Sequence, residues 1–469
     1  MTGTHAKGLI GFDTVSVTGL VVPNQYFAAI NSTNTSVVET DSSGIFGLGF
    51  PINSVLWMDV HLDQRRNQSV NRTVQSRSPT ADQIVNANAR FPDRLKNLVT
   101  RWFPKNDMSN PDSLDVISNP YSKRQTQTSA ADLLASFSTA GPLIPRLVAQ
   151  GALNLPMFTV TLQRDAIEVG GNEGILSVGD LPPTVKNESL TWVPVRGYSP
   201  EQGGLRPPSD APSEVYPIAW EIPVDDVYFD GIKLPRSRLS PPTISLSALI
   251  DTGNSLVRGP PDVITHIHTL LGGPQFPCSF PHTLSFQIGG KQFPVDPRDF
   301  VSQVRSGDVN TCAANLAPTD VPAVGGTGYL YSWNLGDPFL KSVLAAFYYG
   351  SLARPSQDPP RIGLLSTIDP NASKALCDDK HRAENDHTDY PDLVEPAPAS
   401  VPPSRSTGID GVPLAQVPSM TKSGTSRFGG GSGRMVNHAN GVKEGFGIRL
   451  SVWTALTGFV GWVGWRTMV

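Results

Sequence analysis

The sequence predicts an all-β protein built from short strands. Its 469 residues include 43 glycines and 43 prolines, which favour turns and break helices. Between them lie short apolar runs of strand length, from 8–27 near the start to 361–365 near the end. Hydrophobic residues make up 39% of the chain and charged residues 17%, which fits a globular core with some polar linker. We therefore expect two or three domains of about 150 residues each.

Local patterns predict several individual elements. Val17-Thr18-Gly19-Leu20 interrupts an apolar run with a glycine and predicts a hairpin turn. Apolar residues recur at helical spacing in 142–150, and 261–271 is also helix-like. The mostly polar range 57–138 fits neither pattern. We expect it to form a surface insertion that is disordered in part.

Charge and cysteine content argue against several functions. The formal net charge is -4, so nothing in the composition favours binding to nucleic acid. The three cysteines, Cys278, Cys312 and Cys377, form no Cys-x-x-Cys pair and no His/Cys cluster. We therefore expect no metal site and no cofactor. Because the number of cysteines is odd, they cannot all pair within the chain.

Six Asn-x-Ser/Thr sequons are candidate sites of N-glycosylation. They lie at Asn31, Asn34, Asn67, Asn71, Asn187 and Asn371. A single sequon arises easily by chance, but the set favours a secretory route. The first 20 residues nevertheless lack the apolar segment of a signal peptide, since Asp13 interrupts their apolar run. The sequons and the N-terminus therefore point in opposite directions.

The segment around Asp251 carries the chemistry that the sequence predicts. An apolar strand over 248–250 leads into Asp251-Thr252-Gly253, and a second apolar pair follows Ser255. The glycine permits a sharp turn, and the hydroxyls of Thr252 and Ser255 can hydrogen-bond to the carboxylate or to nearby backbone. A bare Asp-Thr-Gly triplet is usually an ordinary β-turn. The apolar flanks change this interpretation, and we predict that Asp251 is a catalytic residue at the bottom of a cleft.

With its flanks, this segment resembles the active-site motif of pepsin-like aspartic endopeptidases. Further landmarks over about 1–56 and 140–368 occur in the order typical of that family. They are the end of the flap hairpin at 1–8, a hydrophobic-glycine motif at 44–49 with its counterpart at 335–340, the crossing between lobes at 192–195 and Trp220, and a closing strand at 361–363. The chain is similar to fungal-type members with a C-terminal anchor signal.

The resemblance implies a bilobal fold with a cleft between the lobes and one catalytic aspartate from each lobe. It implies cleavage of extended peptides at acidic pH, next to apolar side chains. Asp251 would be the aspartate of the C-terminal lobe, within an active-site loop that includes Thr252, Gly253 and Ser255. Cys278 and Cys312 would form the disulfide of that lobe, and Thr2, Gly3 and Thr4 would be a remnant of the flap.

The sequence departs from the family pattern because it contains a single Asp-Thr/Ser-Gly triplet. Asp13-Thr14-Val15 lacks the glycine and falls where the family has an ordinary strand. We therefore expect the first catalytic aspartate and the signal peptide to lie upstream of Met1. The literal chain would then be inactive and poorly folded, with exposed sheet edges in an incomplete N-terminal lobe. Asn254 stands where the family usually has Thr or Ser, which puts one hydrogen bond near Asp251 in question.

Two alternatives to an endopeptidase with an upstream aspartate stay open. One is a catalytically inactive pseudoprotease that binds peptides or cell-surface partners with Asp251 alone. The other is a pair of chains that supply two copies of Asp251. The second alternative is less favoured, because the chain already carries most of an N-terminal lobe, which would collide with a partner chain.

The C-terminal part of the sequence predicts a stalk and an anchor. Residues 379–434 are rich in Pro, Ser, Thr, Gly and Asp, a composition that buries too little apolar area to fold. The uncharged segment 450–465 spans roughly 24 Å as a helix, less than the hydrocarbon core of roughly 30 Å. Such a tail after a polar spacer predicts a GPI-attachment signal. A single-pass anchor and an amphipathic or buried helix are the alternatives.

These inferences divide the chain into four parts. They are an incomplete N-terminal lobe over 1–200 with the insertion at 57–138, a C-terminal lobe over 201–370, a disordered stalk over 371–449 and a hydrophobic anchor signal over 450–466. We expect a monomeric glycoprotein of the secretory pathway, at the cell surface or outside the cell. Its partners would be polypeptide substrates and, through the C-terminal segment, the membrane.

Overall fold

The computed structural model describes residues 6–33, 44–64, 130–162, 174–319 and 330–387. Strands dominate these ranges, and the prediction of a mainly β fold is confirmed. The strands are β1 (Ala6–Val17), β2 (Leu20–Thr33), β3 (Met157–Thr161), β4 (Ile175–Val178), β5 (Thr191–Pro194), β6 (Glu221–Pro223), β7 (Asp226–Phe229), β8 (Ile232–Lys233), β9 (Ser247–Ile250), β10 (Val257–Gly259), β11 (Phe276–Pro277), β12 (Leu284–Ile288), β13 (Lys291–Pro294), β14 (Val301–Gln303), β15 (Thr311–Ala314), β16 (Leu316–Pro318), β17 (Trp333–Leu335), β18 (Val343–Tyr348) and β19 (Arg361–Ser366).

Short helices connect the strands. The α-helices are α1 (helical residues 55–64), α2 (Ala130–Ala140), α3 (Leu143–Ala149), α4 (Pro261–Leu270), α5 (Pro297–Phe300), α6 (Asp337–Leu340) and α7 (Ala372–Asp386). Single turns of 3-10 helix occur at Pro51–Asn53, Asn187–Ser189 and Pro200–Gln202. The helices predicted at 142–150 and 261–271 are confirmed as α3 and α4.

Within the described residues, the strands form five sheets. Their strand orders are β1-β2, β16-β10-β17-β9-β6, β11-β15-β14, β13-β12-β7-β8 and β4-β3-β18-β19-β5. In β12 the buried side chains Leu284, Phe286 and Ile288 alternate with more exposed polar ones. This two-residue period is that of a strand with one face in the core. The apolar pattern of the sequence thus fixes which face of the sheet is buried.

Tight hairpins join several strand pairs. Thr18 and Gly19 have φ angles of 49° and 85°, and they connect Val17 of β1 directly to Leu20 of β2. Gly289 and Gly290 connect β12 to β13 in the same way, with φ angles of 58° and 78°. A two-residue turn with both φ angles positive matches the twist of the strands it joins. The hairpin predicted at 17–20 is confirmed.

The sheet β4-β3-β18-β19-β5 combines strands that are far apart in the sequence. Phe158 of β3 lies opposite Phe347 of β18, and their rings stack at 4.6 Å between centroids. β18 and β19 fall in the range predicted as the C-terminal lobe, whereas β3, β4 and β5 fall in the range predicted as the N-terminal lobe. This sheet therefore joins the two predicted lobes, and the boundary between them at residue 200 stays a prediction.

An aromatic cluster covers one face of this sheet and holds the segment 44–49. Trp220 packs against Phe50 at 4.3 Å between ring centroids and against Tyr349 at 4.8 Å. The Trp220 Nε1–H and the Tyr349 hydroxyl both donate hydrogen bonds to the carbonyl of Leu48, at 3.0 Å and 2.6 Å. Buried indole and phenol groups need such partners. The hydrophobic-glycine segment is thus fixed through its backbone.

The two ends of the predicted insertion belong to the core, which corrects the range 57–138. Trp57 on α1 is 1% exposed, and Leu133 and Phe137 on α2 are also buried. The indole Nε1–H of Trp57 donates a hydrogen bond to Ser136 Oγ at 2.8 Å, so the two helices meet. The prediction of a surface insertion was wrong for 57–64 and 130–138, because sparse apolar residues there are placed on one helix face. Residues 65–129 lie outside the described residues.

Helix α7 corrects the start of the predicted stalk. The sequence analysis placed residues 371–449 in a disordered segment, but 372–386 are helical. Ala372, Leu376 and Ala383 are buried at helical spacing, and Leu376 is fully covered. Arg298 Nη1 of α5 also lies 3.6 Å from Asp379 Oδ2 of α7. The buried apolar residues on one face of α7 therefore pack the helix against the core, although the average composition of α7 is polar.

Several predictions concern residues outside the described ranges. They are the flap remnant Thr2, Gly3 and Thr4, the stalk from 388 onward and the anchor signal at 450–466. Among the helices that the structure does describe, none has the length and apolar character needed to cross a bilayer.

Truncation of Leu376 tests the docking of α7. We expect Leu376→Ala to lower the free energy of unfolding by about 2–5 kcal/mol, because it leaves a cavity under the helix. The exposed neighbour Lys374→Ala is the control and should change the free energy by less than about 0.5 kcal/mol. Urea denaturation followed by circular dichroism measures both. Equal stabilities of the two variants would contradict the docked position of α7.

Candidate active site

The loop that carries Asp251 is held between two strands of one sheet. β9 enters the loop and β10 leaves it, and β17 lies between these two strands. Leu335 of β17 lies opposite Ile250 of β9 in a parallel pair and opposite Val257 of β10 in an antiparallel pair. All three side chains are buried. Because the strands on both sides of the loop pair with β17, the two ends of residues 251–256 are held in fixed positions.

The residue after β17 approaches this loop so closely that only glycine fits. A Cβ atom on Gly336 would lie 1.9 Å from the carbonyl oxygen of Asn254 and 2.5 Å from that of Leu256. The backbone N–H of Asp337 donates to the Asn254 carbonyl at 2.8 Å. The N–H of Asp251 donates to the Leu335 carbonyl at 3.1 Å. The segments around 251 and 336 are therefore in direct backbone contact.

Both carboxylate oxygens of Asp251 accept hydrogen bonds. The backbone N–H of Gly253 donates to Oδ1 at 3.0 Å, and the side-chain Nδ2–H of Asn334 donates to Oδ2 at 2.9 Å. Asp251 itself is half-buried at the mouth of the loop. A carboxylate has about four acceptor positions, so each oxygen keeps capacity for a further donor. The group is therefore oriented but still accessible to a water or a substrate.

The polar neighbours of Asp251 differ from those that the sequence predicts. Within the described residues, no hydrogen bond joins the hydroxyl of Thr252 or Ser255 to the carboxylate, although both residues lie in the loop. Asn254 does not bond to it either. Its Nδ2–H donates to the Leu256 carbonyl at 2.7 Å and to Asn334 Oδ1 at 3.0 Å. The side chain that reaches Asp251 is thus Asn334, which the sequence analysis missed.

Asp337 is a second carboxyl group close to the loop. Burial raises the pKa of Asp337 to about 6, and the negative charges of Asp251 and Asp299 act in the same direction, while Lys341 opposes them. Asp337 follows Gly336 at the start of α6, which places it beside the backbone of Asn254. No separate role was predicted for Asp337, because it lies within the hydrophobic-glycine motif at 335–340.

The cysteines are arranged as the resemblance implies. Cys278 and Cys312 form a disulfide, and Cys312 lies opposite Phe276 in the β11–β15 pair. Cys377 on α7 carries a free thiol that is half-buried near the Ser279 carbonyl. Of the candidate glycosylation sites, Asn31, Asn187 and Asn371 are exposed. Asn34, Asn67 and Asn71 lie outside the described residues.

A methyl group on Gly336 tests the close backbone approach. We expect Gly336→Ala to lower the free energy of unfolding by roughly 3 kcal/mol, because the clash involves backbone atoms that cannot rotate away. Gly47→Ala is the matched control, since a Cβ there meets nothing within 4 Å. Thermal and urea denaturation compare the two. A Gly336→Ala chain as stable as its control would show that the two segments are farther apart.

Replacement of Asp337 tests the effect of its raised pKa. The ordinary pKa of an aspartate is about 4, so between about 4 and about 6 the folded chain binds more protons at this site than the unfolded chain does. This contribution to stability therefore falls as the pH rises through that window. Asp337→Asn, which stays neutral, should flatten the slope of unfolding free energy against pH. Asp386→Asn, on the exposed end of α7, is the control and should keep the wild-type slope. A slope for Asp337→Asn equal to that of the wild type would contradict the prediction.

Comparison with known proteins agrees with this geometry. Residues 1–76 and 126–352 match the family model of the eukaryotic aspartyl proteases. Napsin-A of Mus musculus is 29% identical over 233 residues, which are 48% of this chain and 47% of that protein. Pepsin A of Rhinolophus ferrumequinum is 27% identical over 224 residues, 46% of this chain and 48% of that protein. Cathepsin E of Mus musculus is 25% identical over 219 residues, 45% and 47% of the respective chains.

The chain spans about half the length of the curated relatives it matches. The matched ranges nevertheless contain the whole Asp251 loop, the disulfide and β17. They cover more than half of the chain, and the mainly β structure is consistent with the pepsin-like fold that the resemblance implies. This protein therefore belongs to the eukaryotic aspartyl protease family.

Proposed function

We propose that this protein is an aspartic endopeptidase in which Asp251 is one of two catalytic carboxyl groups. The observation that carries the proposal is the position of Asp251. Its carboxylate stands at the end of a buried strand, is oriented by two hydrogen-bond donors and stays half-buried. Neighbouring backbone contacts hold the loop in place, as pre-organised catalysis requires. Asp251 is therefore suited to act on a group that enters from the solvent side.

The reaction needs a pair of carboxyl groups that share one proton. Two close carboxyl groups cannot both ionise easily, so one is ionised and one protonated; aspartic proteases are the standard example of this split. The ionised group takes a proton from water, whose hydroxyl adds to the peptide carbonyl carbon. The protonated group gives its proton to the carbonyl oxygen. When this adduct collapses, one hydroxyl returns its proton to the ionised carboxylate, the C–N bond breaks and the amine leaves with the proton of the other carboxyl group.

The second carboxyl group is proposed to come from polypeptide other than these 469 residues. The sequence contains a single Asp-Thr/Ser-Gly, at 251–253. A pseudoprotease that binds peptides or cell-surface partners with Asp251 alone is the second candidate function. The same single triplet is the observation that favours it.

The setting of the protein follows from the same proposal. We propose polypeptide substrates in an extended conformation, a monomeric enzyme and a location at the cell surface or outside the cell. The exposed sequons Asn31, Asn187 and Asn371 support glycosylation in the secretory pathway. The uncharged segment 450–465 supports attachment to the membrane, and a GPI signal fits its length best. The likeness to fungal-type enzymes stays a prediction.

Loss of the Asp251 carboxylate tests the endopeptidase. We expect Asp251→Asn to reduce kcat/KM for extended peptides at acidic pH by on the order of 10³-fold or more, because the amide can neither accept nor release the shared proton. The protein is expressed from its complete transcript, its N-terminus is sequenced and peptide cleavage is followed by mass spectrometry. Asp386→Asn is the control and should keep the wild-type rate.

The same experiment separates the two candidate functions. A complete product that carries a second Asp-Thr/Ser-Gly and cleaves peptides supports the endopeptidase. A complete product that starts at Met1, cleaves nothing and still binds a statine-containing peptide supports the pseudoprotease. Cleavage that survives Asp251→Asn would contradict the proposed role of Asp251.

A further inference from the structure

We propose that Asn334, supported by Asn254 and Arg258, is the positioning residue that orients the Asp251 carboxylate; this inference rests on the proposed catalytic role of Asp251. Four side chains form one hydrogen-bonded series. Arg258 Nε–H donates to Asn254 Oδ1 at 3.2 Å, and Asn254 Nδ2–H donates to Asn334 Oδ1 at 3.0 Å. Asn334 Nδ2–H then donates to Asp251 Oδ2 at 2.9 Å. The series thus links β10 to the carboxylate through β17.

The direction of every bond in the series is fixed by its two ends. A guanidinium group can only donate, so Arg258 requires an acceptor and turns the Asn254 oxygen toward itself. The Asn254 amide nitrogen must then face Asn334, whose oxygen accepts it. An ionised carboxylate can only accept, so it requires the Asn334 nitrogen at the other end. Neither amide can flip without breaking two of these bonds, and the orientation of Asn334 is therefore unique.

Each member of the series is anchored to backbone that cannot move freely. Asn334 lies in β17 between Trp333 and Leu335, which are 2% and 0% exposed. Asn254 Nδ2 also donates to the Leu256 carbonyl at 2.7 Å, and the Leu256 N–H donates back to Asn254 Oδ1 at 3.4 Å. The orientation of Asp251 Oδ2 is thus set by two strands and not by the catalytic loop alone. Oδ1 is held separately by Gly253 N–H.

A role in packing alone would not call for these residue types. Asn334 is flanked by large apolar residues in a short strand, and an apolar side chain there would avoid the cost of partly burying an amide. The amide instead places one donor on Oδ2 of Asp251. Donors to a carboxylate favour its ionised form, because they lose a partner when it is protonated. Together with the Gly253 N–H on Oδ1, the series therefore fixes the plane of the carboxylate.

The test measures the reactivity of the Asp251 carboxylate directly, in the protein expressed from its complete transcript. Diazoacetamide esterifies a protonated carboxyl group: the acid proton moves to the diazo carbon, nitrogen gas leaves and the carboxyl oxygen is alkylated. Peptide mapping by mass spectrometry gives the rate at Asp251 against pH. We expect Asn334→Leu to raise this rate about threefold or more at a given pH, because Oδ2 loses the donor that occupies and orients it. Asn310→Leu, the same change on the exposed surface, should leave the profile unchanged.

Variants of Arg258 test the series from its far end without altering β17. Arg258→Met removes the donor to Asn254 and keeps the aliphatic stem, and we expect a smaller rise in the labelling rate than for Asn334→Leu. Arg258→Lys keeps an N–H donor and should change the labelling rate less than Arg258→Met does. Near-ultraviolet circular dichroism establishes that each variant is folded. If Asn334→Leu is not folded, the two Arg258 variants decide the question.

Folded variants with the wild-type labelling profile would overturn the proposal. The labelling does not require peptide cleavage, so its outcome is independent of whether the endopeptidase proposal holds. If the complete product does cleave peptides, Asn334→Leu should lower kcat about tenfold or more with little change in KM, because it disturbs a group that acts in the transition state. An unchanged kcat together with a shifted profile would also count against a role in catalysis.

Discussion

β17 hydrogen-bonds on one side to the strand that enters the Asp251 loop and on the other side to the strand that leaves it. The close approach of Gly336 to the carbonyls of Asn254 and Leu256 follows from this arrangement. Three residues after α6, β18 enters the sheet that carries β3 and β5. The candidate site is therefore tied through a few residues to the sheet that joins distant parts of the chain. Displacing β17 would therefore disturb both the candidate site and this sheet.

The aromatic cluster around Trp220 also connects the Asp251 loop to a distant part of the chain. Leu48, which lies early in the sequence, offers one carbonyl oxygen to both Trp220 and Tyr349. Trp220 precedes β6, which pairs with β9 just before Asp251. Aromatic side chains bury large areas, and their polar atoms require partners in fixed directions. The segment 44–49 and the Asp251 loop are thus positioned by the same layer of side chains.

Much of the site could be predicted from the sequence, because an Asp-Thr-Gly between apolar runs has few structural solutions. Asn334 could not, since it stands alone in an apolar strand and its partners lie about eighty residues earlier. The signal that could have identified Asn334 is its polar side chain between two apolar residues, Trp333 and Leu335. Helix α7 and the ends of the predicted insertion were missed for a related reason. Their apolar residues are few, and composition averaged over a long range conceals a stripe on one helix face.

The hydrogen bond between Trp57 and Ser136 brings together two points that are 79 residues apart in the chain. Residues 65–129 connect the two helices, α1 and α2, in the sequence. The entropy of closing such a segment grows only slowly with its length, by about 0.6 kcal/mol for each doubling. A change in the length of this connection therefore changes the closure entropy only slightly. Loss of the contact between α1 and α2 would instead release both ends of the connection and expose Trp57 and Phe137.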